Sequence, residues 1–382
     1  MSQSTRYIIN QSSRPAQVDA HTELLAALTA MVIQCSPYRT PPGGWRYSGL
    51  YAGPTSASYL FFRLSEIYPA LKVDGKTMHE WSAAYLDEPA LRGGPTRSSL
   101  DSSHCGIAQE TLAHAAVMAV VKQDVSYITK FCESVERLLD EGGSNEWLYG
   151  RAGYLYLLRV MKRGFPGNDG VETLTSEITE KVIDHILQTP RPWTWHHKQY
   201  LGAAHGAIGI ITQIVLSRPS RAADLQRMLE EILDSQFQSG NFPSSIPVGN
   251  DRLVQFCHGA AGLALSLQAI SPYFPRIRTR IERALKLARD CVWERGLLTK
   301  EPCLCHGISG NALVFEEADK LRHFLSFSTQ EQLERRWRTP PLDAAVENQS
   351  MTALFTGGAG RAWAWAVADK DLPRTCIGYN DV

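Results

Sequence analysis

Cys257-His-Gly-Ala-Ala-Gly262 and Cys305-His-Gly-Ile-Ser-Gly310 repeat one local design 48 residues apart, and each opens an apolar stretch through a Gly-x-x-Gly turn. The same turn recurs at Gly150–Gly153, Gly206–Gly209 and Gly357–Gly360, with a looser copy, Gly49-Leu-Tyr-Ala-Gly53, upstream. Gly106-Ile-Ala-Gln109 fills the remaining gap with its second glycine lost. A period of roughly 50 residues is long enough for one helical hairpin. The chain therefore reads as seven such units.

Each turn is followed by a segment apolar nearly all round, as in Tyr154-Leu-Tyr-Leu-Leu158, Leu263-Ala-Leu-Ser-Leu267 and Ala362-Trp-Ala-Trp-Ala366. A helix of that kind is buried on most faces. Between them lie amphipathic stretches: Leu225, Met228, Leu229, Ile232 and Leu233 follow one helical face, and Ile277, Ile281, Leu285 and Ala288 form a similar stripe. Strand signals are few and short. The economical architecture is all-α, an (α/α)7 toroid of seven hairpins with the Gly-x-x-Gly turns at one rim, where glycine permits positive φ and close backbone approach. We expect an N-terminal arm over residues 1–20 and a single domain over 21–382. An open helical solenoid shares this pattern, so ring closure is left to the structure.

Lys plus Arg equals Asp plus Glu at 39 each, which gives no sign of a nucleic-acid surface or an anionic membrane. The first residues, Met1-Ser-Gln-Ser-Thr-Arg-Tyr7, lack the apolar core of a signal peptide, and no apolar run reaches membrane-spanning length. Eight cysteines in a chain of this size, two of them in Cys-His pairs, suit a reducing compartment. The expected location is the cytosol.

In three successive repeats the residue before the first glycine is histidine: His205, His258 and His306. In the last two it follows a cysteine, Cys257 or Cys305, so all five side chains should stand at a similar height on neighbouring hairpins. A lone histidine is more often a hydrogen-bonded core residue, but an adjacent cysteine shifts that balance for His258 and His306. Two thiolates and one histidine would leave zinc a fourth, open position, the arrangement of a catalytic rather than a structural site. Such a position suits an incoming thiol, because coordination makes a thiolate at neutral pH, and a non-ligating histidine could then act as acid or base. Spacing does not decide which of His258 and His306 is the ligand. Cys303 reads as a spare buried thiol, and the loop carrying Trp193, Trp195, His196 and His197 as packing at an outer edge.

The segments Asn145-Glu-Trp-Leu-Tyr-Gly-Arg-Ala-Gly153, Tyr200-Leu-Gly-Ala-Ala-His-Gly206, Gly240-Asn-Phe-Pro243, Cys257-His-Gly259 and Leu304-Cys-His-Gly-Ile-Ser-Gly-Asn311 closely resemble the LanC-like (lanthionine synthetase C-like) family, in its eukaryotic branch. The resemblance runs from about Tyr47 to Ala368, with the motifs in order. It implies an (α/α)7 barrel with one zinc held by Cys257, Cys305 and His306, His205 as acid/base residue and His258 as a second candidate. Glu146 matches an acidic position of the bacterial cyclases, and Lys300 a lysine that contacts glutathione in the eukaryotic members. The implied reaction adds a thiol, from a peptide cysteine or from glutathione, to dehydroalanine or dehydrobutyrine. Three departures stand out: Gln109 for glycine, Phe256 where tryptophan often stands, and Thr356 at a position usually acidic.

The leading expectation is thus a zinc-dependent enzyme adding glutathione to dehydroamino acids, in a protein or peptide, or to a related small electrophile. Two other readings keep the same site: a glutathione- and zinc-binding adaptor without turnover, and a thioether-forming cyclase in a peptide or small-molecule pathway. A partner kinase could make the electrophile by phosphorylation and elimination, since no kinase motif set lies in this chain.

Overall fold

The structure is a computed structural model that describes residues 6–10, 18–41, 44–87, 100–247, 249–336 and 351–382. Seven turns each launch one inner helix: Pro54–Ile67, Glu110–Lys122, Arg151–Gly164, Ala207–Ser217, Ala260–Ile270, Ile308–Ala312 and Gly358–Lys370. Along Ala207–Ser217 the residues from Ala207 to Val215 are all buried, as an all-round apolar sequence requires. The outer helices include Met78–Leu86, Ser126–Cys132, Asp169–Gln188, Ala222–Asp234, Arg278–Arg295 and Ala318–Leu325. In Ala222–Asp234 the buried residues are Ala222, Leu225, Leu229, Ile232 and Leu233, one stripe on an otherwise solvated helix. Among the described residues the strands are two antiparallel ribbons, Lys72–Val73 with Lys76–Thr77 and Gln199–Tyr200 with Ser245–Ile246.

The ring closes. Backbone hydrogen bonds join successive turns at the rim: Leu50 N to Ile107 O, Cys105 N to Tyr149 O, Trp147 N to Ala204 O, Cys257 N to Cys305 O, Cys305 N to Phe355 O, and finally Phe355 N back to Tyr51 O at 3.2 Å. The last inner helix packs on the first, and its outer partner comes from the other end of the chain: helix Ala20–Gln34 lies along Gly358–Lys370. His21 Nδ1 and the Tyr68 hydroxyl both meet Asp369 Oδ2, at 3.2 and 2.7 Å, which ties first and last units together. An open solenoid is excluded by this seam.

The turns explain their glycines. Gly259 has φ of 100°, and a Cβ there would stand 1.9 Å from Leu253 O, so an L side chain meets both backbone strain and a clash. The second glycine of each Gly-x-x-Gly turn seats the new helix on the carbonyl six residues back. A Cβ would lie 1.9 Å from Phe256 O at Gly262, 1.9 Å from Leu304 O at Gly310 and 2.0 Å from Leu354 O at Gly360. Where glycine is lost, the helix start moves. The second inner helix begins at Glu110, with Gln109 as N-cap accepting from Leu112 N at 2.9 Å, whereas the others begin directly after the turn's first glycine or its equivalent. In the first unit that equivalent is Gly53, not Gly49.

Two features were not expected. The sixth inner helix, Ile308–Ala312, is only 5 residues long. The carboxyl-terminal segment enters the centre of the ring, where the Tyr379 hydroxyl pairs with Ser266 Oγ at 2.6 Å, Asp381 accepts from Tyr156 at 2.8 Å and pairs with Arg63, and Arg159 Nε donates to Val382 O. Tyr379 also joins Trp147, Phe256 and Phe355 in an aromatic floor with centroids 4.9–5.8 Å apart. Phe256 thus fills a packing position. Of the expected arm over 1–20, residues 1–5 and 11–17 lie outside the described residues, while Ile8 N donates to Leu297 O at 2.7 Å beside the segment that leads to Lys300. No helix among the described residues is long and apolar enough to cross a membrane.

Candidate active site

The residue before each inner helix's opening glycine points the chemistry of its unit toward the same rim. In chain order these residues are Ala52, Cys105, Tyr149, His205, His258, His306 and Thr356. One position earlier, Tyr51, Cys257, Cys305 and Phe355 carry the hydrogen-bonded seam. Because one scaffold repeats, side chains far apart in sequence become neighbours.

Cys257 and Cys305 meet as a buried, hydrogen-bonded pair. The hydrogen bond from Cys305 pulls the Cys257 thiol below its ordinary range, helped by Gln255 Nε2 at 3.0 Å and by the Lys300 charge. The same hydrogen bond, with burial, pushes Cys305 well up. Tyr51 donates its hydroxyl to Cys305 Sγ at 3.8 Å and stacks on Phe355 at 5.7 Å. His306 is held below its ordinary value by burial and then by Lys300, so its imidazole is neutral near pH 7, as a metal ligand must be. Two thiols that meet, with the imidazole of His306 next in sequence to one of them, are the residue types that would hold zinc. Among the described residues no three His, Cys, Asp or Glu side chains stand close enough to hold an ion as a group, so what the structure brings together is the thiol pair.

His205 stands on the neighbouring hairpin, half-buried. Its Nδ1 donates to Glu146 Oε2 at 2.9 Å. Glu146 is almost fully buried and is fixed in turn by the backbone of its own turn, accepting from Leu148 N at 2.8 Å and from Tyr149 N. Three donors on one carboxylate hold it in place. His258, next in sequence to Cys257, has its ring 6.1 Å from that of His205 and so bridges the two halves of the site. Burial, then the charge of His205, depresses His258 to about 4, and its Nδ1 is buried without a hydrogen-bond partner. It is uncharged near pH 7, suited to accept a proton rather than to give one. Lys300 is exposed near the thiols, close enough to bias both Cys257 and His306. Thr356 and Gln109 lie in units without a histidine at the rim.

The loop at 191–198 is not outer-edge packing. Trp195 lies flat on His205, with ring centroids 3.9 Å apart and planes within 1°. Tyr149 is nearly parallel to both, and Tyr200 reaches His258 at 5.4 Å. Motif reading missed Trp195, Tyr149 and Tyr200 because none belongs to the Cys-His pattern; only Tyr149, directly before Gly150, carried a repeat signal. Cys303 is buried, its thiol pushed up to about 12 by desolvation, which suits an inert core residue.

Comparison with known proteins places the fold and the family. The lanthionine synthetase C-like protein family profile matches residues 44–360. The glutathione S-transferase LANCL1 of Danio rerio is 32% identical over 192 residues, 45% of this chain and 45% of that protein. The LanC-like protein GCL1 of Arabidopsis thaliana is 30% identical over 264 residues, 63% of this chain and 59% of its own length. The chain thus spans about half the length of the curated relatives it matches. Among solved structures, nisin cyclase superposes with a TM-score of 0.63 at 13% identity, covering 94% of this chain and 96% of that one, a likeness of fold.

Proposed function

The chain belongs to the lanthionine synthetase C-like family, and from that premise we propose that it adds a thiol, glutathione foremost, to a dehydroamino acid or a related unsaturated electrophile, with zinc held by Cys257, Cys305 and His306. The observation that carries this reading is the meeting, on one rim, of a buried thiol pair with a histidine held by a buried carboxylate. The name of the zebrafish relative, a glutathione S-transferase, supports the class of reaction.

Zinc, when bound, lowers the pKa of an incoming thiol so that thiolate exists at neutral pH. The other parts belong to the chain. Gln255 donates to Cys257 and orients its sulfur. Lys300 offers a cation for a carboxylate of glutathione. Glu146 binds the Nδ1 hydrogen of His205, which supports the imidazolium and leaves Nε2 as the nitrogen that carries a proton to the acceptor. As sulfur bonds to the β-carbon, the π pair of the acceptor moves to the α-carbon and its carbonyl. His205 Nε2, having taken the proton that the thiol gives up, delivers it to the α-carbon, so that sulfur and hydrogen have added across the double bond.

Mass spectrometry of a dehydroalanine peptide incubated with glutathione and zinc-loaded protein tests the proposal. A glutathione-sized mass gain is expected, together with one zinc per chain, and both should disappear in Cys305→Ala. One bound zinc with no adduct from any acceptor would instead support an adaptor that binds without turnover.

A further inference from the structure

Trp195 has no part in the chemistry assigned so far, yet its indole makes the tightest ring contact in the site, 3.9 Å from His205 and parallel within 1°. The loop that delivers it is a two-residue hairpin: Trp195 and Lys198 exchange both backbone hydrogen bonds at 3.0 Å, and the residues between them, His196 and His197, have φ of 47° and 61°. A turn with two successive left-handed residues favours Asn-Gly. With histidine at both places the turn is strained, because an L side chain crowds the backbone there. Such strain persists only where the surroundings over-determine it, and here the flanking residue is the one clamped on His205.

We propose that Trp195 is a positioning residue for His205, and that the hairpin exists to press its indole on the imidazole. The inference rests on the thiol-addition reading above. Glu146 fixes one point of the ring, Nδ1, but a single hydrogen bond leaves the imidazole free to swing about that point. A flat surface against one face removes the swing and sets the direction of Nε2. Tyr149 lies near-parallel to the imidazole at 6.1 Å, too far for close stacking, and Tyr200 is tilted by 58°, so neither can replace the indole. Trp195 is itself half-buried, which leaves part of the indole facing the rim.

Two readouts test this. In zinc-loaded protein without substrate, the His205 Cε1 proton, assigned by its loss in His205→Gln, should resonate upfield from the indole ring current and move downfield in Trp195→Leu. In turnover with glutathione and a dehydroalanine peptide, Trp195→Leu should lower kcat about 10- to 100-fold with KM changed less than about 3-fold, as expected when a reacting group is mis-set rather than a substrate lost. Trp195→Phe keeps a flat ring and should recover most of kcat, which also answers the concern that the leucine variant folds poorly. Wild-type kcat in Trp195→Leu, or a rise in KM alone, would overturn the positioning role. An unshifted His205 resonance in an active wild type would overturn it too. Absence of turnover in the wild type would remove the thiol-addition reading and this proposal with it.

Discussion

The units centred on Gly150, Gly206, Gly259 and Gly307 and the units centred on Gly357, Gly53 and Gly106 share one backbone, yet only the first group holds the thiol pair and the histidine–carboxylate pair. On the first arc the rim residues are Tyr149, His205, His258 and His306, with Cys257 and Cys305 behind them. On the second they are Thr356, Ala52 and Cys105, backed by Phe355 and Tyr51. The seam hydrogen bonds pass through both arcs without regard to this difference, joining Cys305 to Phe355 and Phe355 to Tyr51 as they join Cys257 to Cys305. The scaffold therefore decides where a side chain stands, and the residue identity decides what it does. Even the boundary shows this: Tyr51 occupies the thiol position of its unit and donates to Cys305 from across the seam.

If the arcs share a scaffold, a scaffold glycine should matter equally in either. Gly262→Val, in the chemical arc, and Gly360→Val, in the other, place a Cβ 1.9 and 2.0 Å from backbone oxygens. Each should cost upwards of about 4 kcal/mol in denaturant unfolding, and a tolerated Gly360→Val would break the comparison. His205→Ala separates chemistry from scaffold: turnover should fall about 10²- to 10⁴-fold, while the unfolding free energy falls by only about 1–3 kcal/mol, the cost of leaving the buried Glu146 carboxylate short of one partner. Glu146→Gln sharpens the same division. It keeps the shape but loses the charge that supports the His205 imidazolium, so kcat should fall about 10-fold or more, with a stability loss of about 1–3 kcal/mol from backbone donors left poorly matched. Gln109→Ala is the mildest, costing about 1 kcal/mol through the lost N-cap and leaving turnover unchanged.

Much of this was legible before any coordinates. The glycines declare themselves because the same carbonyl clash recurs in unit after unit, and recurrence is visible in sequence. Cys257, His258, Cys305 and His306 are visible for the same reason, and the family resemblance added Glu146 and Lys300. What escaped is what does not repeat. Trp195 acts from a hairpin inserted between units, so no period marks it. Helix Ala20–Gln34 completes the seventh unit from the opposite end of the chain, a pairing no local pattern carries. The insertion of Tyr379 and Asp381 into the ring's centre depends on the cavity that closure creates. The short sixth helix, Ile308–Ala312, also eluded the apolar pattern; Asn311 there turns its amide to Val254 O and Gly296 O, both at 2.9 Å.

The central claim is that thiol addition resides on one arc of a uniform ring. Adduct yield from glutathione and a dehydroalanine peptide, measured side by side for wild type, Cys305→Ala, His205→Ala and Thr356→Ala, tests it most directly. The account predicts an adduct from wild type and Thr356→Ala and almost none from the other two. Equal yields from all four, or loss in Thr356→Ala with His205→Ala intact, would contradict it.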